Sequence, residues 1–284
     1  MMDINRRAFA ALAGSSIAIS ASGAAASQTA PVSTLQGREY HIVMTTDRPK
    51  PKVAMLMFPG LTLLDLAGPQ AALSAVCDIH IVWKNKDLMV SDTGVLLQAD
   101  TTFDECPEDL DVLFIPGGPG QVAVMRDDAM LRFLADRGER ARYVTSVCSG
   151  ALVLGAAGLL QGYDAATHWA AMPLLPLFGA NPVEKRVVKD RNRMTGGGVT
   201  AGLDFGLTLV AELAGEQAAK IQQLAMQYDP EPPFDVGVPA KAGPELTQAA
   251  IAWMAGGGID MREVAQQAAA DMGKYSRPDS PPTP

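Results

Sequence analysis

Residues 143–150 read YVTSVCSG and run into the helix-forming stretch ALVLGAAGLL. A β-branched run that ends at a cysteine, followed by two small residues and a helix, suits a sharp strand-to-helix turn. Such a turn lifts a side chain out of the sheet, as in the nucleophile elbow of hydrolases. The N–H groups opening the next helix point partial positive charge at the sulfur, which favours thiolate. Cys148 is therefore the candidate nucleophile, expected partly exposed and with a depressed pKa. Cysteine is also among the most buried residue types, so a structural thiol fits the same position.

Two other stretches carry groups that could serve such a nucleophile. In FIPGGPG (114–120), Gly117 and Gly118 end another apolar run. Their backbone N–H groups could form an oxyanion hole, or the pair could be a plain tight turn. In FPGLTLLDLAGPQ (58–70), Asp65 follows the first apolar run, ahead of a helix expected to open at Gly68-Pro69. It could cap that helix or act as a general acid and base. His168, in THW, offers a Cys–His pair of the amidase or peptidase kind, or a histidine that hydrogen-bonds the backbone beneath the elbow. His41 and His80 carry no such context. Cys77 and Cys106 could pair in an oxidising compartment, though spacing does not show proximity.

These groups need a scaffold that brings them to one edge. VAMLMF (53–58), IHIVW (79–83), VLFI (112–115) and YVTSV (143–147) are short, continuous apolar runs bounded by turn residues. They read as strands buried on both faces, as in a parallel sheet covered by helices. Helical segments are expected at roughly 69–76, 126–140, 149–160, 201–213 and 216–228. Alternation of strand and helix predicts an α/β three-layer sandwich with a mainly parallel sheet. Ligands in such folds bind outside the carboxyl ends of the strands, where Cys148 and the Gly117-Gly118 turn should lie. After Tyr228 the proline-rich DPEPPFDVGVPAKAGP reads as a wrap or linker. Two short helices are expected within 244–272, broken at Gly256-Gly257-Gly258, and RPDSPPTP reads as disordered.

The bulk composition narrows the function classes. The 284 residues carry a net charge of −8, so nothing forms the basic patch that nucleic-acid binding needs. Three cysteines without a CxxC pair make neither a zinc site nor a disulfide framework. Residues 1–26 have the layout of a twin-arginine signal, with Arg6-Arg7, Phe9, an Ala-rich run and Ala24-Ala25-Ala26 before the expected cleavage. The run is too short and weak for a stable membrane span. The expectation is a periplasmic or exported protein with no membrane segment in its mature form. A linker would follow at 27–52, holding a short strand at Tyr40 to Met44. A catalytic domain would span 53–239, and a partly helical extension 240–284.

LLDLAGP, DVLFIPGGPG, VCSGALVLGAAGLLQGYDAATHW, TGGGVTAGLDFGLTLVAEL and MQYDPEPPFD together resemble the ThiJ/PfpI superfamily, from Val53 to about Pro239. The resemblance implies the class I glutamine amidotransferase-like, or flavodoxin-like, fold. The last two stretches resemble the isonitrile hydratase (cyclohexyl-isocyanide hydratase) branch. That branch implies Cys148 as nucleophile, Asp65 as acid and base, and Ser149 as the hydroxyl beside the cysteine, where the branch usually carries Thr. The implied reaction is that of a hydro-lyase: an isonitrile becomes an N-substituted formamide through a thioimidate on sulfur. It needs no metal or organic cofactor. The resemblance also implies a homodimer acting on a small molecule. The first three stretches are shared more widely, including by the ligand-binding halves of AraC-type regulators. Glyoxalase-like, deglycase or amidase chemistry and a non-catalytic periplasmic ligand-binding module are the alternatives.

Overall fold

A computed structural model describes residues 49–255 and 261–275. The twin-arginine segment and the strand expected at Tyr40 to Met44 lie outside the described residues, as do the glycine break and the final proline-rich stretch.

The apolar runs form the centre of the sheet. β1 (Lys52–Leu56) leads through Pro59-Gly60 into helix α1 (Leu63–Leu73), and β2 (Asp78–Trp83) follows. Short strands β3 (Met89–Val90) and β4 (Leu96–Leu97) make an antiparallel hairpin, and β5 (Thr101–Thr102) returns to the main sheet. β6 (Val112–Ile115) precedes the short helix α2 (Gln121–Val124) and α3 (Asp128–Arg140). β7 (Tyr143–Ser146) leads to α4 (Gly150–Ala156). Next come β8 (Asp164–Ala165), a 3-10 helix over Trp169–Phe178, β9 (Asn181–Pro182), β10 (Val187–Asp190) and β11 (Arg193–Gly196). Helices α5 (Ala201–Ala214), α6 (Glu216–Ala225), α7 (Pro239–Met254) and α8 (Met261–Asp271) follow, and a 3-10 turn over Met272–Lys274 completes the described chain.

The seven-stranded sheet runs β10-β11-β7-β6-β1-β2-β5. Every neighbouring pair is parallel except β10 with β11. Register is fixed by pairs such as Val53 with Ile79 on one side and with Val112 on the other. Helices α1, α5 and α6 pack together, while α4 packs with α3, α8 and the 3-10 helix. The fold is thus the expected mostly parallel α/β, flavodoxin-like arrangement. Its core holds Phe58, Phe114, Phe178 and Phe205 fully buried, each contributing roughly 1.5–3 kcal/mol by leaving water. Because β1, β6 and β7 are adjacent and parallel, the loops after their carboxyl ends share one edge.

One element departs from the sequence reading. The first helix begins at Leu63 rather than near Pro69, so Asp65 lies in its first turn and Pro69 inside it. The proline ring faces Gly202 of α5 there. Farther on, α7 buries none of its side chains, whereas Val264, Ala265 and Ala268 of α8 join the main core. The Tyr275 hydroxyl donates to Asp128 Oδ1 at 2.6 Å, which ties the end of this segment to the start of α3. Among the described residues no helix is long and apolar enough to cross a membrane.

Candidate active site

The strand β7 ends in buried Thr145 and Ser146, and the chain turns at Cys148 with φ of 54°. That left-handed conformation is rare for a residue with a side chain and costs of order 1–3 kcal/mol. Two hydrogen bonds hold it. The Cys148 N–H donates to the Gly197 carbonyl at 2.7 Å. Its own carbonyl accepts from the Thr167 hydroxyl at 2.7 Å. Gly150 must be glycine, because a Cβ there would collide with the Ile115 and Pro116 carbonyl oxygens. The small residues after the cysteine therefore let the elbow nest against the end of β6.

Asp65 reaches the same place from α1. It is 0% exposed, and its Oδ2 accepts from the Gly117 N–H at 2.9 Å. Its Oδ1 is buried without a hydrogen bond of normal geometry. The Cys148 thiol lies close enough to act on this carboxyl. Ser149 Oγ accepts from the Gly118 N–H at 3.2 Å. A Cβ on Gly117 would fall 2.6 Å from Ser149 N and Oγ and 3.0 Å from Asp65 Oδ2, so only glycine lets the three meet.

This geometry revises the expectation of Gly117 and Gly118 as free oxyanion donors. Both N–H groups are occupied, one by the carboxylate and one by the hydroxyl. Their role in this arrangement is to orient Asp65 and Ser149.

The electrostatics also reverse an expectation. Cys148 is 6% exposed rather than partly open, and its pKa is raised rather than depressed. Burial is the largest cause and the nearby Asp65 charge adds to it; the Ser149 N–H and hydroxyl pull the other way and lose. A single N–H at the start of a short helix does not offset removal of an anion from water beside a carboxylate. Burial likewise pushes Asp65 up to about 7, against the lowering effects of the Gly117 N–H and Cys148, with Asp92 raising it further. The resting pair is a thiol beside a carboxyl that exchanges its proton near neutrality, which suits proton transfer in both directions.

His168 does not pair with Cys148, nor does it hold the backbone beneath the elbow. Its Nδ1 accepts from the Ala170 N–H at 3.3 Å, capping the 3-10 helix, and burial lowers its pKa. The residue beneath the elbow is Thr167. Sequence reasoning passed over it and over Gly197. The signals were a lone hydroxyl closing the small-residue run AAT, and a glycine triplet at a strand end. Cys77 and Cys106 are buried, unpaired thiols, both with pKa values raised by burial. Among the described residues no group of three or more His, Cys, Asp or Glu could hold a metal ion.

Residues 51–212 match the DJ-1/PfpI family. The chain belongs to that family. The isonitrile hydratase of Pseudomonas putida is 51% identical over 193 residues, which is 67% of this chain and 84% of the hydratase. The crystal structure of a ThiJ/PfpI family protein from Pseudomonas syringae superposes with a TM-score of 0.73 at 44% identity, covering 86% of this chain and 97% of that one. The HTH-type transcriptional regulator GbdR of Pseudomonas aeruginosa is 33% identical over 135 residues, 46% of this chain but only 36% of the regulator. The DJ-1/PfpI match takes in Asp65, Gly117, Gly118, Cys148 and Ser149.

Proposed function

We propose that this protein hydrates an isonitrile to an N-substituted formamide, with Cys148 as nucleophile and Asp65 as the proton carrier. The observation that carries the reading is the buried Asp65–Cys148 pair, in which the carboxyl is poised near pH 7 beside a protonated thiol. The similarity to a protein named isonitrile hydratase supports it.

The pair matches the proton bookkeeping of the reaction. As sulfur bonds to the isonitrile carbon, the thiol proton passes to Asp65. Asp65 returns it to the same carbon, giving a thioimidate in which that carbon bears hydrogen, sulfur and a double bond to nitrogen. Water then adds to this carbon. Asp65 removes one water proton and the nitrogen gains one. The resulting tetrahedral carbon expels sulfur, and the hydroxyl proton returns to the thiol through Asp65. The sum is isonitrile plus water to formamide, with no other reactant consumed. In this reading Ser149 Oγ, which accepts from the Gly118 N–H, holds the attacking water.

The test is a substrate panel. Purified protein should convert cyclohexyl isocyanide to the formamide while leaving methylglyoxal and small amides unchanged. Rapid quenching should reveal a Cys148 adduct heavier by the mass of the isonitrile. Turnover of methylglyoxal or an amide instead would assign glyoxalase-like, deglycase or amidase chemistry. Saturable binding without turnover would leave a ligand-binding module. Export through Arg6-Arg7, the division into leader, linker, catalytic domain (53–239) and extension, and assembly as a homodimer belong to the same proposal and rest on the sequence.

A further inference from the structure

We infer that Asp92, in the turn between β3 and β4, is a positioning residue for Asp65: it caps the helix that carries Asp65 and places a negative charge at the first turn that bears that carboxyl. The inference rests on the reading of Asp65 as the proton carrier.

The helix α1 lacks a cap of its own. Thr62 stands at its N-cap position and makes no side-chain bond there. The orphan N–H of Leu63 instead donates to Asp92 Oδ1 at 3.0 Å, across 29 residues of chain. A carboxylate at that end also complements the helix dipole. Two backbone bonds lock the same contact. The Gly60 N–H donates to the Val90 carbonyl at 2.8 Å, and the Asp92 N–H donates to the Leu61 carbonyl at 2.9 Å. The turn that presents Asp92 is itself fixed, because buried Ser91 Oγ accepts from the Val95 N–H at 3.0 Å and meets Thr93 Oγ1 at 3.1 Å.

The contact continues to the reacting groups. The Thr62 N–H donates to the Gly117 carbonyl at 2.9 Å, and the Gly117 N–H holds Asp65 Oδ2. The hairpin, the first turn of α1 and the Gly117 loop are therefore hydrogen-bonded in series. Moving the helix start moves Asp65 relative to Cys148. The charged and titratable groups acting on Asp65 are Asp92 from the hairpin and Cys148 from the elbow, with the Gly117 N–H as the remaining polar contact. Of the two side chains, Asp92 raises the affinity of Asp65 for its proton and Cys148 lowers it.

Two substitutions separate cap from charge. Asp92→Asn keeps an oxygen acceptor and removes the charge; Asp92→Ala removes both. The pH midpoint of the Asp65 carboxyl is read by infrared difference against Asp65→Asn. The acid limb of kcat/KM on cyclohexyl isocyanide is read in parallel, with circular dichroism as the fold control. Both variants should move the carboxyl midpoint to lower pH by several tenths of a unit, and the acid limb should follow. Asp92→Ala should also lose about tenfold in kcat with little change in KM, since a displaced acid fails in the transition state more than in binding. Asp92→Asn should recover part of that loss. An unmoved midpoint in Asp92→Asn overturns the inference, whether or not the wild type turns over an isonitrile. A shifted midpoint in a protein that hydrates no isonitrile would uphold the placement of Asp65 and overturn the hydratase reading alone.

Discussion

Asp65 Oδ2 and Ser149 Oγ accept hydrogen bonds from consecutive backbone N–H groups, those of Gly117 and Gly118. One loop therefore sets the spacing of the acid and the hydroxyl that flank Cys148. Ser149→Ala should free the Gly118 N–H, which then faces the substrate as an oxyanion donor. Its cost in kcat should be about tenfold or less, well below that of losing Asp65. Ser149→Thr keeps the hydroxyl and should retain most of the rate. Steady-state kinetics of the two variants on one isonitrile check this, and equal collapse in both would place an essential role on packing at Ser149.

Asp65→Asn should remove about 100- to 10,000-fold from kcat, the usual worth of general acid–base catalysis. It should also stabilise the fold above neutrality. The Asp65 carboxyl holds its proton to about pH 7 in the native state, against 3.8 for an ordinary aspartate. Between those values the native state binds the extra proton, so stability contributed by this group falls as pH rises through about 7. A shift of this size corresponds to at most ~4 kcal/mol. Thermal unfolding should show Asp65→Asn more stable than wild type at pH 8, with the gap closing toward pH 4. A gap that widens toward acid would mean Asp65 is ionised throughout.

Alkylation of Cys148 should report a protonated resting thiol. The rate of reaction with iodoacetamide should stay low at pH 7 and still be rising above about 8.5, the free-thiol value. Asp65→Asn removes the neighbouring charge and should speed the reaction above about pH 7, where the Asp65 carboxyl is ionised. A rate that reaches its plateau below pH 7 would show that the Ser149 N–H and hydroxyl outweigh burial after all.

Thr167→Val removes the hydroxyl that holds the Cys148 carbonyl while nearly preserving shape. Leaving that buried acceptor unpaired should cost about 1–3 kcal/mol of stability and lower kcat through a looser elbow. His168→Asn should keep substantial activity, because His168 caps the 3-10 helix and does not touch the thiol. Comparing both variants by chemical denaturation and turnover checks the assignment. Loss of activity in His168→Asn equal to that in Cys148→Ala would point to Cys–His amidase chemistry.

Export by the twin-arginine route requires the guanidinium pair at its start. Replacing Arg6 and Arg7 with Lys should leave precursor in the cytoplasm, and the wild-type mature chain should begin near Ser27. Fractionation with N-terminal sequencing reads both outcomes. Normal periplasmic accumulation of the double variant would exclude this route.

Sequence alone determined the parallel strands and the position of the elbow. Strands covered on both faces must be continuous apolar runs, so β1, β6 and β7 are legible as VAMLMF, VLFI and YVTSV, and half-buried β2 shows the same pattern in IHIVW. The thiol and the glycine pair are visible because each sits where such a run stops, and the aspartate because it follows the first run at the same edge. The start of α1 is not legible, because Pro69 resembles a helix opening in sequence, whereas in the fold its ring packs on α5 from within the helix. Tertiary structure alone decided what the polar groups do. The Gly117 and Gly118 N–H groups meet Asp65 and Ser149 from distant parts of the chain, Thr167 rather than His168 reaches the Cys148 carbonyl, and Asp92 caps a helix in another element. The direction of the Cys148 shift was decided the same way. A helix start is a local feature that sequence displays, but the burial and the opposing carboxylate that outweigh it come from strands and helices brought together only by folding.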